Sequence, residues 1–383
     1  MKKRIIVLGC TGSIGQSTLE LAREFPDLFE IVGLQANTNE TKLLELGKEF
    51  NCTQLCLTGK NIGADILNSR IIYYGKSSLN NLIKYTEADI VVNGISGAAG
   101  LLPSVATLES GKTLALANKE TMVLAGKIVN KIAKENNVKI IPVDSEHSAI
   151  FSLIEKCGID NIDNITITAS GGAFKNLSKE ELENVTVEDA LKHPTWNMGP
   201  KITIDSASLA NKGLEVIEAN QLFGLPAEKI NVVIHPQSFV HSFVQTKDGA
   251  LYAQISKPDM KHPILNALTY PEIIENSLEK IDFSKAFQME FLPPRYDDFP
   301  MLKLAYSALN KEKSYPIVYN AVNEIAVAAF RNKQIKFTDI AKVTEKVLSY
   351  DWSKECETIE EVVQIDYEAR NKAIESIKEL NCQ

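Results

Sequence analysis

The chain has 383 residues, of which 44% are hydrophobic and 23% charged, and its formal net charge is −8. A chain of this length exceeds the size at which one hydrophobic core stops growing, so two or three domains are expected. The acidic balance argues against nucleic-acid binding, which needs a basic surface, and no run approaches the ~20 apolar residues of a membrane-spanning helix.

The cysteines and the start of the chain bear on the cellular compartment of the protein. The six cysteines are scattered, and Cys52 and Cys56 are a lone pair, too few for a zinc site. The opening "MKKRIIVLGC" runs directly into a strand-like segment, so no signal peptide is indicated. We therefore predict a cytoplasmic protein with reduced thiols and no membrane partner.

The first 150 residues alternate strand-like and helical patterns. The apolar runs are "RIIVLG", "EIVGLQ", "ADIVVNG", "KTLALA" and "VKIIPVD", and helical patterns include "SIGQSTLELAREF" and "KETMVLAGKIVNKIAKEN". This alternation is typical of a mostly parallel sheet covered by helices on both faces. We predict an α/β fold that begins with a Rossmann-like domain over residues 1–150.

Three further segments are predicted after this domain. Residues 151–270 contain strand-like "NITITASGG", "KINVVIHPQ", "SFVHSFVQ" and "ALYAQIS", the last two around the hairpin signal "TKDG", and form a central α/β catalytic domain. Residues 271–300 are proline-rich and predict a linker. Residues 301–383 predict an all-α domain, whose last helix begins with a capping box at Thr358 and Glu361.

A glycine-rich turn joins the first strand to the first helix. Gly9, Gly12 and Gly15 in "VLGCTGSIGQSTL" allow a sharp turn and close approach to a pyrophosphate at a helix N-terminus. Glycines that serve only packing are the alternative, but the position at the start of a multi-strand domain favours a dinucleotide. The second strand ends in "LQANTNE" without an acidic residue at the ribose position, which favours NADP(H) over NAD(H).

Two carboxylates follow the last strand of this domain. In an extended chain Asp144 and Glu146 point to the same side, so they can converge on one point. On its own, such a pair is typical of a solvated loop. The segment "GPKITIDSASLANKGLEVIEA" adds a strand-like start and then Asn211, Lys212 and Glu215 within one helical turn.

The same segment supplies hydroxyl groups beside the third carboxylate. Ser206 and Ser208 come shortly before the amide of Asn211, the ammonium of Lys212 and the carboxylate of Glu215. This combination of groups suits the binding of a divalent cation and a phosphate. Ser170 precedes two glycines in "TASGGAF", a geometry suited to anion contact, although a simple turn is nearly as good an interpretation. The loop "HPTWNMG" at 193–199 predicts a closing flap, with a core tryptophan as the alternative.

The motifs together resemble the 1-deoxy-D-xylulose 5-phosphate reductoisomerase family. "GCTGSIGQSTL", "LANKE", "VDSEH", "SGGAF", "HPTWNMGPKITIDSASLANKGLEVIEA", "HPQSFVHS" and "NAVNEIAVAAF" occur in the family order over essentially the whole chain. The resemblance implies conversion of that sugar phosphate to 2-C-methyl-D-erythritol 4-phosphate with NADPH and Mg²⁺, Mn²⁺ or Co²⁺. It also implies a homodimer.

The resemblance assigns roles to individual residues. It implies metal ligands at Asp144, Glu146 and Glu215, and phosphate contacts at Ser170, Ser206, Asn211 and Lys212. It implies contacts to the reacting end of the substrate at Lys119 and Ser145, and a flap at His193, Trp196 and Met198. Contacts to NADPH are implied at Thr11, Gly12, Ser13, Ile14, Asn37, Thr38, Asn39, Ala117, Asn118, Lys119, Glu120 and Gly199.

One departure from the family pattern concerns the cofactor. Relatives place a basic residue where this chain has Thr38, so weaker discrimination between NADPH and NADH is expected unless Lys42 substitutes. Two other functions are alternatives to the interpretation as a reductoisomerase. An ordinary NADP-dependent dehydrogenase would need no third carboxylate. Against a cofactor-binding regulator with a decayed site stand five intact residues, Lys119, Asp144, Glu146, Lys212 and Glu215.

Overall fold

The computed structural model describes residues 1–60, 63–67, 70–193, 195–196 and 198–382. The chain forms two compact units. The first comprises Met1–Thr121, Val129–Ser148 and Asp259–Leu278, and the second comprises Met122–Ile128, Ala149–Pro258 and Glu279–Gln383. Within the described residues, no helix combines the length and apolar character needed to cross a membrane.

The first unit is built on an eight-stranded sheet. Its strands are β1 (Lys3–Leu8), β2 (Phe29–Ala36), β3 (Gln54–Leu57), β4 (Gly63–Leu67), β5 (Arg70–Tyr74), β6 (Ile90–Asn93), β7 (Thr113–Leu116) and β8 (Ile140–Pro142). Their order is β4-β5-β3-β2-β1-β6-β7-β8. All neighbours pair in parallel except β4, which lies antiparallel to β5 at the edge. The predicted Rossmann-like parallel sheet is therefore confirmed.

Helices cover this sheet. They are α1 (Ser13–Glu24), α2 (Glu40–Glu49), α3 (Lys76–Tyr85), α4 (Leu101–Glu109), the first and last parts of α5 (Lys119–Glu135), and α11 (Lys261–Thr269). Strand β1 explains why both faces must be covered, since Ile5 to Leu8 are fully buried in succession. A continuous apolar run of this kind is typical of a parallel strand between two helical layers.

The second unit contains a four-stranded mixed sheet. Its strands are β9 (Ile162–Ala169), β10 (Ile230–Ile234), β11 (Val240–Thr246) and β12 (Leu251–Ile255), in the order β10-β9-β11-β12. The four strands predicted in this part of the sequence and the β11–β12 hairpin are confirmed. The unit also contains most of α6 (Ser145–Cys157), and α7 (Lys179–Leu182), α8 (Val187–Ala190), α9 (Pro200–Ala207) and α10 (Ala210–Phe223).

The strand-like start predicted near residue 200 is wrong, because this segment is helix α9. Pro200 occupies its first turn after the extended cap residue Gly199, and proline has the backbone angle that a helix start requires. The Thr203 hydroxyl donates to the Gly199 carbonyl at 2.9 Å, so this polar side chain is satisfied within the helix. Leu209, with φ +60°, then separates α9 from α10.

The end of the chain is helical, as predicted. Its helices are α12 (Pro300–Lys311), α13 (Tyr315–Arg331), α14 (Asp339–Leu348) and α15 (Ile359–Asn381). The Thr358 side chain caps α15, but the Glu361 carboxylate accepts from the Glu357 N–H rather than completing a capping box. Residues 271–299, all described, contain no helix or strand beyond a single bridge from Leu292 to Ile234. The four-segment domain division stays a prediction.

Candidate active site

The glycine turn after β1 has the geometry of a phosphate cradle. Gly9 has φ +74°, and a Cβ there would lie 2.9 Å from the Gly94 carbonyl oxygen. A Cβ on Gly15 would lie 2.4 Å from the Gly9 oxygen, so a side chain is excluded there as well. Gly12 caps α1 with an extended backbone, no side chain caps this helix, and its first turn contains no acidic residue. These features fit a pyrophosphate at the N-terminus of α1.

The predicted cofactor residues surround two strand ends in the first unit. Thr11, Ser13 and Ile14 belong to the turn before and at the start of α1 and are at least partly exposed. Asn37, Thr38 and Asn39 follow β2 and are exposed. The Asn39 side chain accepts from the Lys42 N–H at 3.0 Å and caps α2, so Glu40 is the first residue of that helix.

The turn after β7 is held by buried hydrogen bonds. Asn118 donates to the carbonyl oxygens of Ile95 and Gly97 at 2.7 and 2.9 Å, and its own oxygen accepts from the Thr121 N–H at 3.0 Å. The Ala117 N–H donates to the carbonyl of Asn93. Lys119, the first residue of α5, therefore starts from a rigid turn, and Glu120 follows it in the buried first turn.

The acidic residues after β8 meet this lysine. Lys119 Nζ lies 2.6 Å from Asp144 Oδ2, and the two side chains are only 6% and 11% exposed. A carboxylate oxygen of Asp144 and one of Glu146 lie within 4.8 Å of each other. Ser145 Oγ donates to the Glu146 carboxylate at 2.5 Å, and His147 Nδ1 is 3.5 Å from Asp144. Two hard oxygen ligands of this kind fit a divalent cation.

The extended geometry expected for this pair is not what brings the two carboxylates together. Residues Ser145 and Glu146 already lie in the first turn of α6, directly after the strand β8. The carboxylates converge because the chain changes from strand to helix between Asp144 and Glu146.

In the second unit, His193 joins two serines. Its Nε2 lies 3.0 Å from Ser170 Oγ and 3.2 Å from Ser206 Oγ. Its Nδ1 accepts from the backbone N–H groups of Thr195 and Trp196 at 3.1 and 2.8 Å, so the proton of the ring is on Nε2. Burial, and secondarily the charge of nearby Lys175, lower the pKa of His193 to about 4. The imidazole is therefore neutral at pH 7.

Helix α10 brings three of the predicted side chains together. Asn211 Nδ2 and Lys212 Nζ each lie 2.5 Å from a carboxylate oxygen of Glu215. The Lys212 and Glu215 side chains are almost completely buried. A buried carboxylate beside an ammonium and an amide, one turn of helix apart, forms a charged polar site rather than a packing contact.

The predicted flap is partly described. Trp196 is half-buried, and its ring centroid lies 6.4 Å from that of His241. Met198 is also partly buried and Gly199 is exposed. Pro194 and Asn197, two other residues of the predicted flap loop, lie outside the described residues.

Sequence patterns missed the polar contacts that support these residues. Asp205, buried on α9 next to Ser206, accepts from Asn323 of α13 at 2.8 Å and pairs with Lys201 at 2.9 Å. Gln35 of β2 connects the glycine turn with the end of β3 through the Gly9 N–H and the Thr58 hydroxyl. The sequence feature that could have indicated these contacts is a polar residue at a position where the pattern of the helix or strand predicts burial.

Comparisons with known proteins agree along the whole chain. Family models described as 1-deoxy-D-xylulose 5-phosphate reductoisomerase and as its C-terminal domains match residues 5–126, 140–223 and 255–372. The reductoisomerase of Treponema denticola is 50% identical over 97% of this chain and 96% of its own length. That of Thermodesulfovibrio yellowstonii is 45% identical over 98% of this chain and 100% of its own.

The chain belongs to the 1-deoxy-D-xylulose 5-phosphate reductoisomerase family. The reductoisomerase of Zymomonas mobilis in complex with NADPH is 40% identical, with a TM-score of 0.90 over 98% of this chain and 99% of that one. A reductoisomerase in complex with NADPH, fosmidomycin and magnesium is 38% identical, with a TM-score of 0.91 over 99% of both chains. Membership in the reductoisomerase family and the predicted α/β fold are thereby confirmed.

Proposed function

We propose that this chain converts 1-deoxy-D-xylulose 5-phosphate to 2-C-methyl-D-erythritol 4-phosphate, with NADPH and a divalent cation, in isoprenoid precursor synthesis. Family membership over the full chain supports this activity, as do the NADPH and magnesium bound by related enzymes. The observation that carries the proposal is the group formed by buried Lys119 and the partly buried Asp144 and Glu146 at the carboxyl end of a parallel sheet. An ordinary dehydrogenase would not need the third carboxylate, Glu215, and a cofactor-binding regulator would not need any of the three.

The metal is assigned to Asp144, Glu146 and Glu215. All three provide carboxylate oxygens, the ligands preferred by Mg²⁺ and Mn²⁺, and Co²⁺ is the third candidate. When bound, the cation polarises the substrate carbonyl, and NADPH supplies the hydride. The Lys119 ammonium and the Ser145 hydroxyl contact the reacting end of the substrate, where Lys119 offsets negative charge on oxygen.

The substrate phosphate is assigned to Ser170, Ser206, Asn211 and Lys212. Two serine hydroxyls facing one neutral histidine, and a nearly buried lysine on α10, are donors suited to a phosphate. Phosphate binding is remote from the reacting carbons, so its energy can orient the substrate and close the flap of His193, Trp196 and Met198. Closure excludes water from the reacting carbons.

NADPH is assigned to four segments of the chain. The pyrophosphate lies at the glycine turn, and the adenosine ribose lies at the end of β2. The residues of these segments are Thr11, Gly12, Ser13, Ile14, Asn37, Thr38, Asn39, Ala117, Asn118, Lys119, Glu120 and Gly199. The absence of an acidic residue at positions 37–39 supports the phosphorylated cofactor.

The enzyme is also proposed to be a cytoplasmic homodimer. Strand β12 lies at the edge of its sheet and exposes Leu251, Tyr252 and Ile255 by 58%, 44% and 42%. An apolar edge strand in water is prone to pair with another chain, and a second copy would cover it. None of the six cysteines, all of which lie in the described part of the chain, forms a disulfide, which suits a reducing compartment.

Replacement of Glu215 by Gln tests the metal assignment. The change keeps the size of the side chain but removes the charge that binds a cation, so metal-dependent turnover should fall by at least a hundredfold. NADPH binding, measured by quenching of intrinsic fluorescence, should stay near the wild-type value. The exposed Glu228→Gln variant of the same unit is the control and should keep full activity. Full activity in Glu215→Gln would remove this residue from the metal site.

A further inference from the structure

A lysine outside every sequence motif lies at the ribose end of the cofactor site. Strand β3 pairs in parallel with both β2 and β5, so the carboxyl ends of these strands meet at one edge of the sheet. The end of β2 is where a dinucleotide fold contacts the adenosine ribose. Lys60 follows β3 by three residues and therefore belongs to this edge.

The backbone fixes the loop that carries Lys60. The Thr58 N–H donates to the Ala36 carbonyl at 3.0 Å, and the Gly59 N–H donates to the Asn37 carbonyl at 2.7 Å. A Cβ on Gly59 would lie 2.6 Å from the Asn37 oxygen and 2.9 Å from Thr38 Cγ2. Only glycine allows this close approach, so the loop lies directly against the residues that end β2.

The Lys60 ammonium is held beside this strand end. It pairs with the Glu40 carboxylate at the start of α2 and lies 5.6 Å from the centre of the Tyr74 ring. The Tyr74 hydroxyl donates to the same carboxylate at 3.4 Å. The Lys60 side chain is 51% exposed, so it can exchange one partner for another. The other lysine near this end, Lys42, instead pairs along its own helix with Glu45 at 3.4 Å.

We propose that Lys60 binds the adenosine 2′-phosphate of NADPH and is the residue that selects NADPH over NADH. The 2′-phosphate is a dianion, and Asn37, Thr38 and Asn39 offer it only neutral donors. Lys60 leaves Glu40 for the phosphate, while Tyr74 retains its hydrogen bond to Glu40. With NADH, which has no 2′-phosphate, Lys60 stays paired to Glu40. This inference rests on the cofactor assignment made above.

Binding of nucleotide fragments tests this role without turnover. Lys60→Gln should weaken binding of 2′,5′-ADP and of NADPH by about tenfold or more, the usual effect of losing a charge-assisted contact. Binding of 5′-AMP and NADH should not change. Isothermal titration calorimetry gives the fragment affinities, and fluorescence quenching gives those of the dinucleotides. Lys42→Gln is the matched control and should bind all four ligands as the wild type does.

A second substitution tests the location of the contact. Thr38→Lys places an ammonium at the end of β2, so it should restore NADPH affinity in Lys60→Gln and change it little in the wild type. The role of Lys60 would be overturned if Lys60→Gln lost equal affinity for NADPH and NADH or lost none at all. It would also be overturned if Lys42→Gln lost NADPH affinity instead. The cofactor assignment would survive any of these results. Wild-type protein that binds neither NADPH nor 2′,5′-ADP would overturn the cofactor assignment as well.

Discussion

His193 shows how one residue can link the proposed phosphate site to the proposed flap. Its Nδ1 accepts from the backbone of the flap, and its Nε2–H faces the hydroxyls of Ser170 and Ser206. Protonation of Nδ1 would replace an acceptor with a donor that faces two N–H groups. The flap backbone therefore depends on a neutral imidazole, which is what the lowered pKa of about 4 provides.

This arrangement predicts a pH dependence of stability. Between about pH 6.5 and pH 4 the unfolded chain binds a proton at His193 that the folded chain does not, so stability falls as the pH falls. His193→Gln should lose less unfolding free energy than the wild type between pH 7 and pH 5. The difference should be below about 1.4 kcal/mol per pH unit, the limit for one proton. Urea unfolding at the two pH values measures it, and equal losses would show that His193 is not buried as a neutral base.

At the scale of elements, the segment around Trp196 is expected to move. Trp196 is half-buried beside His241, whereas the other tryptophan, Trp352, is buried and donates from Nε1 to the Val347 carbonyl at 2.8 Å. In a Trp352→Phe protein, fluorescence reports on Trp196 alone. Addition of substrate or a phosphonate hydroxamate analogue should change that fluorescence, because the flap covers the indole when it closes.

Loss of the indole should affect turnover more than stability. Trp196→Ala should lower kcat/KM at least tenfold while the midpoint of thermal unfolding stays within a few degrees of wild type. Truncation of a core tryptophan, by contrast, costs about 3–5 kcal/mol, and Trp352→Ala is the control that should show it. Trp196 would be structural if the Trp196→Ala protein melted far below the wild type and the fluorescence of the Trp352→Phe protein did not respond to ligand.

The sequence predicts elements well where packing and pattern agree. The fully buried run of β1 and the hairpin of β11 and β12 follow directly from their residues. Helix α9 does not, because Ile202, Thr203 and Ile204 have strand propensity and only the cap at Gly199 and Pro200 indicates a helix. Strand β3, with four residues, is too short for its periodicity to be distinctive.

The candidate site could be predicted where its residues are close in the sequence. Asn211, Lys212 and Glu215 share one helical turn, so their spacing alone brings them together. The contact of Asp205 with Asn323 joins residues 118 positions apart, and no local pattern indicates it. The approach of Lys60 to the end of β2 likewise depends on the strand order of the sheet, which a single sequence does not provide.

At the scale of the whole molecule, the exposed edge of β12 predicts self-association. Lysines in place of Tyr252 and Ile255 would put like charges opposite each other in a symmetric pair of edges and disfavour pairing. The double variant should sediment as a monomer at micromolar concentration, where the wild type should sediment as a dimer. Lysine in place of exposed Tyr85, in the first unit, is the control. A dimer that survives both changes at β12 must use another surface.

The reaction proposed for this chain is the rearrangement and reduction of a sugar phosphate with NADPH and a divalent metal. The most direct test follows the absorbance of NADPH with 1-deoxy-D-xylulose 5-phosphate, with and without Mn²⁺, after the protein has been treated with a chelator. One NADPH should be oxidised for each 2-C-methyl-D-erythritol 4-phosphate formed, and only when Mn²⁺ is present. NADPH oxidation at the same rate without metal, or no oxidation under either condition, would contradict it.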